Sequence, residues 1–331
     1  MKQIELPLTD PPFSTLHHQA AVAGILTQNP SIRNFYLNQA VRLICSRRFL
    51  HGYTSPVVSV LKTDFQANPY IEKTHYAMRF LGKKIHHVIQ KLLEHEYYVF
   101  YTGVDDYYVP GKSWYHERHF PHNGLICGFD KTEKTYSLYA YDKDWICTRF
   151  QTTQNGFERG RRAAMREEAF GSVWGMRAKP EEVPLHLNEV YQNITLHLNS
   201  PLSSYPLDDE RDVYGLAVHD FIGMYLDKLA DESIPYDRMD RRVFRMVWEH
   251  KKLMYERLVR VEEALELPPE CSTAYQSAVE DANTMRMLYA SHHMKRRDAL
   301  LPVIKKKLLD VKDREERILT EFAKKMEVAM K

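Results

Sequence analysis

The feature that most constrains the fold of this chain is a change of residue pattern along its length. Stretches rich in β-forming residues, split by the turn-like segments DKTEK and DKD, predict an antiparallel meander over 96–110, 122–130, 135–142 and 145–153. From about residue 186 onward, apolar residues recur every three or four positions, which predicts helices almost throughout. The sequence therefore predicts an α+β protein, with an α+β domain over 1–185 and a mostly helical domain over 186–331.

Helical spacing is also present on both sides of the predicted strands. It predicts helices over 13–28, 31–48, 69–96 and 161–176. Ser14 or Thr15 would cap the first of these helices, and Ser31 would cap the second. The run VVSVL, which begins at Val57, predicts a short strand.

Composition narrows the classes of function. Lys and Arg number 46 against 44 Asp and Glu, a net charge of +2, which disfavours a nucleic-acid binder. No window approaches 18 uncharged apolar residues and the N-terminus lacks a signal-peptide core, so neither a membrane span nor secretion is predicted. The four cysteines lack C-x-x-C spacing and are expected to be free thiols of a cytoplasmic protein. Dinucleotide and P-loop glycine motifs are missing from the sequence, and no cofactor is predicted.

The densest cluster of reactive side chains lies in YYVPGKSWYHERHFPHNGLICGFD, residues 107–130. Two overlapping H-x-x-H spacings permit a zinc interpretation, but no acidic or cysteine ligand stands at a typical offset, and no metal is predicted. Tyr108, Tyr115 and His119 are candidate substrate-binding residues, because amphipathic rings suit a pocket for a peptide-like or polyketide-like molecule.

His122 and Asp142 are the candidate catalytic pair. His122 opens one predicted strand and Asp142 ends the next, and residues in these positions are neighbours in a β-hairpin. A carboxylate beside an imidazole fixes its tautomer and stabilises the imidazolium, as a general base requires. The alternative is a solvated histidine and a turn aspartate that share no role.

The string HNGLICGFDKTEKTYSLYAYDKD, which begins at His122, resembles the histidine strand of papain-like peptidases of the bacteriocin-processing type. Together with LHHQAAVAGIL, YGLAVHDFI and DRRVFRMVWEHKKLMYERL, it makes most of the chain similar to the butirosin-biosynthesis acyltransferase family. Related bacterial proteins occur beside nonribosomal-peptide and other natural-product genes. The resemblance implies a papain-like N-terminal domain with a helical C-terminal extension. It also implies transfer of an acyl group from a carrier-protein thioester to an amine.

The chain departs from that family at the nucleophile. The resemblance places a cysteine at the N-terminal end of the first helix, where the helix dipole favours a thiolate. The matching stretch STLHH has no cysteine, and His17 or His18 occupies the position, so both are predicted to join His122 in a polar substrate pocket. Ser14 is a weak candidate nucleophile, because a hydroxyl needs a stronger base than a thiol does. Cys45 is another candidate nucleophile. It is a weak one, because it is expected near the end of the second predicted helix, where the helix dipole disfavours a thiolate.

Two functions from different classes remain open. The first is a natural-product tailoring enzyme in which His122 and Asp142 catalyse acyl transfer, release or cyclisation of a carrier-protein-bound, peptide-like or polyketide-like intermediate. Its partners would be an acyl or peptidyl carrier protein and a small-molecule amine or peptide-like substrate. The second is a catalytically inactive papain-like scaffold that binds a carrier protein or another biosynthetic partner. A protease is the weakest interpretation, because the nucleophile is missing.

One polar segment interrupts the helical pattern of the C-terminal part. In WEHKKLMYERL, residues 248–258, Glu249, Lys252 and Glu256 stand at i,i+3 and i,i+4 spacings, which indicates a salt-bridged solvent face. The alternative is that this helix docks on the N-terminal domain and bounds its pocket.

Overall fold

The computed structural model describes residues 2–61, 68–144, 146–166, 171–200 and 212–331. Contacts between residues divide the chain into two units. Unit 1 is Met1–Arg33 with Asp64–Glu182, and unit 2 is Asn34–Thr63 with Val183–Lys331. Unit 2 therefore takes one segment from the N-terminal part of the chain, and both units are discontinuous in sequence. The domain bounds 1–185 and 186–331 stay a prediction.

The strands are, in chain order, β1 (Gln3–Glu5), β2 (Leu43–Ser46), β3 (Ser59–Val60), β4 (Ile71–Ala77), β5 (Tyr98–Asp105), β6 (Pro121–Asp130), β7 (Thr135–Tyr141), β8 (Cys147–Thr153), β9 (Ser172–Ala178) and β10 (Asp212–Tyr214). The helices are α1 (His17–Leu26), α2 (Arg33–Gln39), α3 (Met78–Leu81), α4 (Ile85–Glu94), α5 (Gln154–Arg166), α6 (Leu187–Asn199), α7 (Val218–Ala230), α8 (Val243–Ala264), α9 (Glu270–Lys295) and α10 (Leu300–Ala329). The α+β fold class predicted from the sequence is confirmed.

Unit 1 is built on an antiparallel sheet. Its strand order is β4-β9-β5-β6-β7-β8, with β1 beside β6. Leu138 of β7 pairs with Ile126 of β6 on one side and with Phe150 of β8 on the other, and β5 pairs with β6, so the four strands β5 to β8 form the predicted meander. Ile126 and Leu138 share one face of the sheet and Leu125 points to the other, and all three are fully buried, so both faces of the sheet are covered here.

Helix α1 packs on this sheet, against β6, β7 and β9. Nine of its ten residues, HHQAAVAGIL, are buried. A helix that is apolar or small on every side buries its whole circumference, and the short side chains of AAVAG allow close approach to the strands. The start of α1, which carries the candidate site residues His17 and His18, is therefore held against the sheet.

Three of the predicted helices are wrong in part. Residues 71–77 of the predicted helix 69–96 form strand β4, and helix α4 begins only at Ile85. Strand β4 pairs over its whole length with β9, which takes up the last residues, 172–176, of the predicted helix 161–176, whose residues 167–170 lie outside the described residues. The predicted helix 31–48 ends at Gln39, and β2 follows. Long-range strand pairing thus overrides the local helical pattern in each case.

Unit 2 combines a small sheet with long helices. The strand order of the sheet is β10-β2-β3, again antiparallel. Helix α10 packs against α6, α7 and α9, and α9 also packs against α8. The predicted apolar stripe of α10, which includes Ile304, Leu308 and Val311, is buried. Among the helices of the described residues, none is both long and apolar enough to cross a membrane.

Helix α8 is more buried than its sequence indicates. His250, Lys251 and Arg257 are fully buried, so a solvent face is the wrong interpretation for this part of the polar segment. The Arg257 guanidinium donates to the backbone carbonyls of Leu37 at 2.6 Å and Ala40 at 2.9 Å, at the end of α2. These bonds satisfy carbonyl groups that a helix C-terminus leaves without partners.

Helices α6 to α10 each contribute to one buried polar cluster, here named the unit 2 centre. Its members are His197, His219, His250, Lys251, Tyr275 and Glu315, all with no exposed surface. The Glu315 carboxylate accepts hydrogen bonds from Lys251 Nζ and from the Tyr275 hydroxyl, each at 2.5 Å. His219 Nε2 lies 3.5 Å from the same carboxylate, and His219 Nδ1 donates to the carbonyl of Leu216 at 2.9 Å.

Burial determines the charges in the unit 2 centre. Desolvation, followed by the charge of Lys251, lowers the pKa of His219 to about 3. Burial also lowers the pKa values of His197 and His250. The pKa of Glu315 stays well below its usual range, because Lys251 and the neighbouring histidines outweigh the opposing effect of burial. The centre therefore contains an ion pair beside neutral imidazoles at neutral pH.

Candidate functional site

His122 lies at the beginning of β6, and an aspartate reaches it from the end of the neighbouring strand. The backbone of His122 pairs with Val104 in β5, and Asp106 follows the last residue of β5. His122 Nδ1 donates a hydrogen bond to Asp106 Oδ2 at 3.1 Å. The His122 side chain is 22% exposed, whereas the Asp106 side chain is 0% exposed. A buried carboxylate thus orients a ring that reaches the surface.

Asp142 does not pair with His122. Its carboxylate accepts hydrogen bonds from the backbone N–H groups of Asp144 and Ile146, both at 2.9 Å, and closes the turn that leads into β8. The backbone of Asp142 forms an antiparallel bridge with that of Lys112. Lys112 thus takes the pairing position that the predicted hairpin gives to the first residues of β6. The prediction of Asp142 as the orienting carboxylate is therefore corrected to Asp106.

Lys112 supplies the charge that faces Asp106 from the interior. Its ammonium lies 3.1 Å from Asp106 Oδ1 and donates to the carbonyl of Asn123 at 2.8 Å. The preceding Gly111 has φ +90°, and a Cβ there would lie 2.5 Å from the Phe150 ring. Glycine is required at this position, because a side chain would meet both backbone strain and the ring. The turn inserts a lysine into the core behind the orienting carboxylate.

His17 occupies the first position of α1 and is buried. Its Nε2 donates to the carbonyl of Tyr139 at 2.6 Å, and its ring stacks on Phe100 with the centroids 6.0 Å apart. The Nδ1 atom of His17 is buried and has no hydrogen-bond partner. Desolvation, followed by the charge of Lys112, lowers the pKa of His17 to about 3, so the ring is neutral at neutral pH. A positive charge on His122 lowers the pKa of His17 further.

The remaining predicted residues at the start of α1 are partly exposed. His18 follows His17 and is half-buried, and its charge also acts on the His17 ring. The Tyr141 hydroxyl donates to the backbone carbonyls of Ser14 at 3.0 Å and Thr15 at 2.7 Å. These contacts fix the approach to α1 on the end of β7.

The thiols lie in environments that disfavour a thiolate. Cys45 is in strand β2 of unit 2 and is fully buried, so its predicted place near a helix end is wrong. Burial raises the pKa of the Cys45 thiol. Burial likewise raises the pKa of Cys127, in the middle of β6, to about 12. Neither thiol is suited to act as a nucleophile at neutral pH.

A second histidine–aspartate pair lies beside the first. His119 Nδ1 donates to Asp105 Oδ2 at 2.7 Å, and Asp105 Oδ1 accepts the backbone N–H groups of Tyr107 and Phe120. The His119 side chain is 53% exposed and stacks on Tyr107 with ring centroids 4.3 Å apart. Sequence reasoning missed Asp105 and Asp106, although two adjacent aspartates at the end of a strand were a visible signal.

The predicted aromatic residues form a surface along this loop. Tyr108 lies 5.8 Å from His119 between ring centroids, and Tyr115 stacks on His116 at 4.0 Å. Tyr107 contacts the rings on both sides and joins them into one cluster. The structure therefore brings Tyr108 and His119 together, and places Tyr115 at the edge of the same cluster.

Within the part of the chain that the structure describes, no group of three or more His, Cys, Asp or Glu side chains is arranged to hold a metal ion. Comparison with known proteins adds no assignment, because no family model and no curated protein matches the chain.

Proposed function

We propose that unit 1 carries the general-base centre of an enzyme that transfers an acyl group from a thioester to an amine. The observation that carries this proposal is the hydrogen bond between His122 Nδ1 and the buried carboxylate of Asp106. Because the carboxylate holds the proton on Nδ1, the basic nitrogen of His122 is Nε2. A partly exposed imidazole with a fixed tautomer has the properties of a general base at neutral pH.

The reaction uses His122 as a proton carrier. Nε2 of His122 removes a proton from the amine as the amine nitrogen attacks the thioester carbonyl carbon. The carbon–sulfur bond then breaks, and the leaving thiolate takes the proton back from Nε2. The products are an amide and a thiol, and the protein returns to its starting state. When the amine belongs to the same intermediate, the same steps give cyclisation and release.

The resemblance to the butirosin-biosynthesis acyltransferase family supports the choice of substrates. We propose a carrier-protein thioester as acyl donor and a natural-product amine or peptide-like molecule as acceptor. The resemblance places a cysteine where this chain has His17 or His18, so the transfer that we propose is direct and forms no acyl-enzyme. All four cysteines are free thiols, which supports a cytoplasmic location for this reaction.

The test compares three variants of the full chain. Acyl thioesters of N-acetylcysteamine, with a panel of primary amines, serve as probes, and amide formation is followed by mass spectrometry. His122→Gln and Asp106→Asn are expected to lower turnover, the first by about 10²-fold or more, since general-base catalysis contributes about 10² to 10⁴. Asp142→Asn keeps an oxygen acceptor for the turn and is expected to retain turnover. Equal turnover in the wild type and in folded His122→Gln would refute the assignment.

A catalytically inactive scaffold that binds a carrier protein is the second candidate. The observation that favours it is the burial of His17 against Phe100, since His17 is one of the two residues at which the resemblance implies a nucleophile. Its test is calorimetric titration with an acylated carrier protein, with the thioester assayed afterwards. Binding with an intact thioester would support the scaffold, and consumption of the thioester would exclude it.

A further inference from the structure

We propose that Lys112 is a positioning residue that sets the charge state in which His122 works. This inference rests on the proposed function of His122 as a base. It assigns Lys112 a role that acts through Asp106, because the Lys112 ammonium contacts Asp106 Oδ1 while His122 contacts Asp106 Oδ2.

The insertion of Lys112 is built into the fold. Both the Lys112 and the Asp106 side chains have 0% exposure. Burying an ammonium and a carboxylate carries a large desolvation cost, which their mutual attraction offsets only with good geometry and further hydrogen bonds. Lys112 gains such a bond from the carbonyl of Asn123, and Gly111 supplies the backbone conformation that the turn needs. A buried ion pair is seldom a net source of stability, so its effect on the neighbouring imidazole is its more informative property.

Within the described residues, titratable groups on three elements act on the surroundings of His122. Asp106 follows β5, Lys112 lies in the loop before β6, and His17 begins α1. The Phe120 ring, 5.1 Å from the His122 ring between centroids, is uncharged. His17 is neutral, so the Lys112–Asp106 pair brings a net charge of zero to the ring. The carboxylate beside the His122 ring is therefore already compensated by the Lys112 ammonium.

The influence of Lys112 extends to the site. After burial, its charge is the largest of the causes that lower the pKa of His17 to about 3. Without Lys112, the Asp106 carboxylate would stabilise the imidazolium of His122 with nothing opposing it. The protonated ring, which cannot accept a proton from an amine, would therefore be favoured.

The experiment is a titration of the histidine rings by NMR, which needs no substrate. The protein is labelled with ¹³C and ¹⁵N in its histidines, and the His122 signals are assigned by their loss in His122→Gln. Lys112→Met is expected to move the His122 midpoint to higher pH by about one unit or more, and Asp106→Asn to lower pH, since close charges shift titrations by about 1 to 3 units. Lys131→Met, which removes an exposed lysine from the turn after β6, is the matched control.

The results separate this inference from the proposed function. Opposite shifts in the two variants, with no shift in the control, support the role of Lys112 even if no thioester is consumed. An unchanged midpoint in folded Lys112→Met overturns it, even if His122 proves essential for turnover. If Lys112→Met does not fold, Asp106→Asn is compared with the double variant Asp106→Asn/Lys112→Met. The double variant lacks both charges of the buried pair, so it differs from Asp106→Asn only by the loss of the lysine charge. The midpoint of the double variant must then lie above that of Asp106→Asn, and equal midpoints overturn the inference.

Discussion

Acidification is expected to destabilise unit 2 through His219 before its carboxylates titrate. Burial lowers the pKa of His219 to about 3, from an ordinary value of 6.5. As pH falls through 6.5, the unfolded chain binds a proton that the folded chain does not bind until about pH 3. Stability is therefore complete above pH 6.5 and is lost progressively below it. The direction is the same for His197 and His250, whose pKa values burial also lowers.

The magnitude follows from the two protonation states. At pH 5.0 an ordinary imidazole is about 97% protonated in the unfolded chain, and one with a pKa of about 3 is about 1% protonated in the folded chain. Between pH 7.5 and 5.0, His219 alone therefore contributes a loss of about 2 kcal/mol in the free energy of unfolding. The lowered pKa of Glu315 adds a further loss only below its ordinary value of 4.5, outside this interval.

The assay is urea unfolding of the full chain at both pH values. The unfolding of unit 2 is monitored by hydrogen exchange of peptides from α8. His219→Asn keeps a donor for the carbonyl of Leu216 and cannot titrate, so it is expected to remove about 2 kcal/mol of the pH dependence. His51→Asn, which changes an exposed histidine of unit 2, is the control. If wild type and His219→Asn lose the same free energy between pH 7.5 and 5.0, the assigned burial effect is refuted.

Three further predictions concern local stability, each measured by urea unfolding. Arg257→Met leaves buried carbonyls without donors and is expected to lower the free energy of unfolding by about 2 to 4 kcal/mol. Arg260→Met, which removes an arginine from an exposed ion pair with Glu263, is the control and should lower it by less than about 0.5 kcal/mol. Gly111→Ala adds a clash with an aromatic ring to the strain of positive φ, whereas Gly52→Ala, at φ +97° in open space, adds strain alone. Gly111→Ala should cost at least about 1 kcal/mol more, and equal losses would contradict the clash. Tyr141→Phe removes two backbone contacts before α1 and is expected to cost about 1 kcal/mol, with faster hydrogen exchange in α1.

The regular parts of the fold could be predicted because their pattern is local. The stripe of α10 recurs from Ile304 to Met326, and the strands β6 to β8 are divided by clear turn residues. Strand β4 could not be found in the same way, because its seven residues become a strand by pairing with β9, about a hundred residues later. Cys45 was misplaced for the same reason, since β2 pairs with β10 from the far part of unit 2.

Half of the candidate site was visible in the sequence. His122 was found because it begins a strand, which is a local property. The sequence pattern predicts its partner across the following hairpin, whereas Asp106 reaches it from the preceding strand through the pairing of β5 with β6. Lys112 could not be assigned to the interior, because a lysine in a loop is ordinarily exposed and its burial depends on the turn at Gly111.

The two units contain the same kinds of buried side-chain group, but the access of these groups to solvent differs. Each buries a lysine–carboxylate pair beside histidines, Lys112 with Asp106 in unit 1 and Lys251 with Glu315 in unit 2. In unit 1 the His122 ring is partly exposed, as the proposed role of a base requires. Every member of the unit 2 centre is fully enclosed, so the same groups can act there only on the packing of the helices that carry them. Exposure of one imidazole, rather than the composition of the cluster, therefore decides which centre can serve as a base and which one makes stability depend on pH.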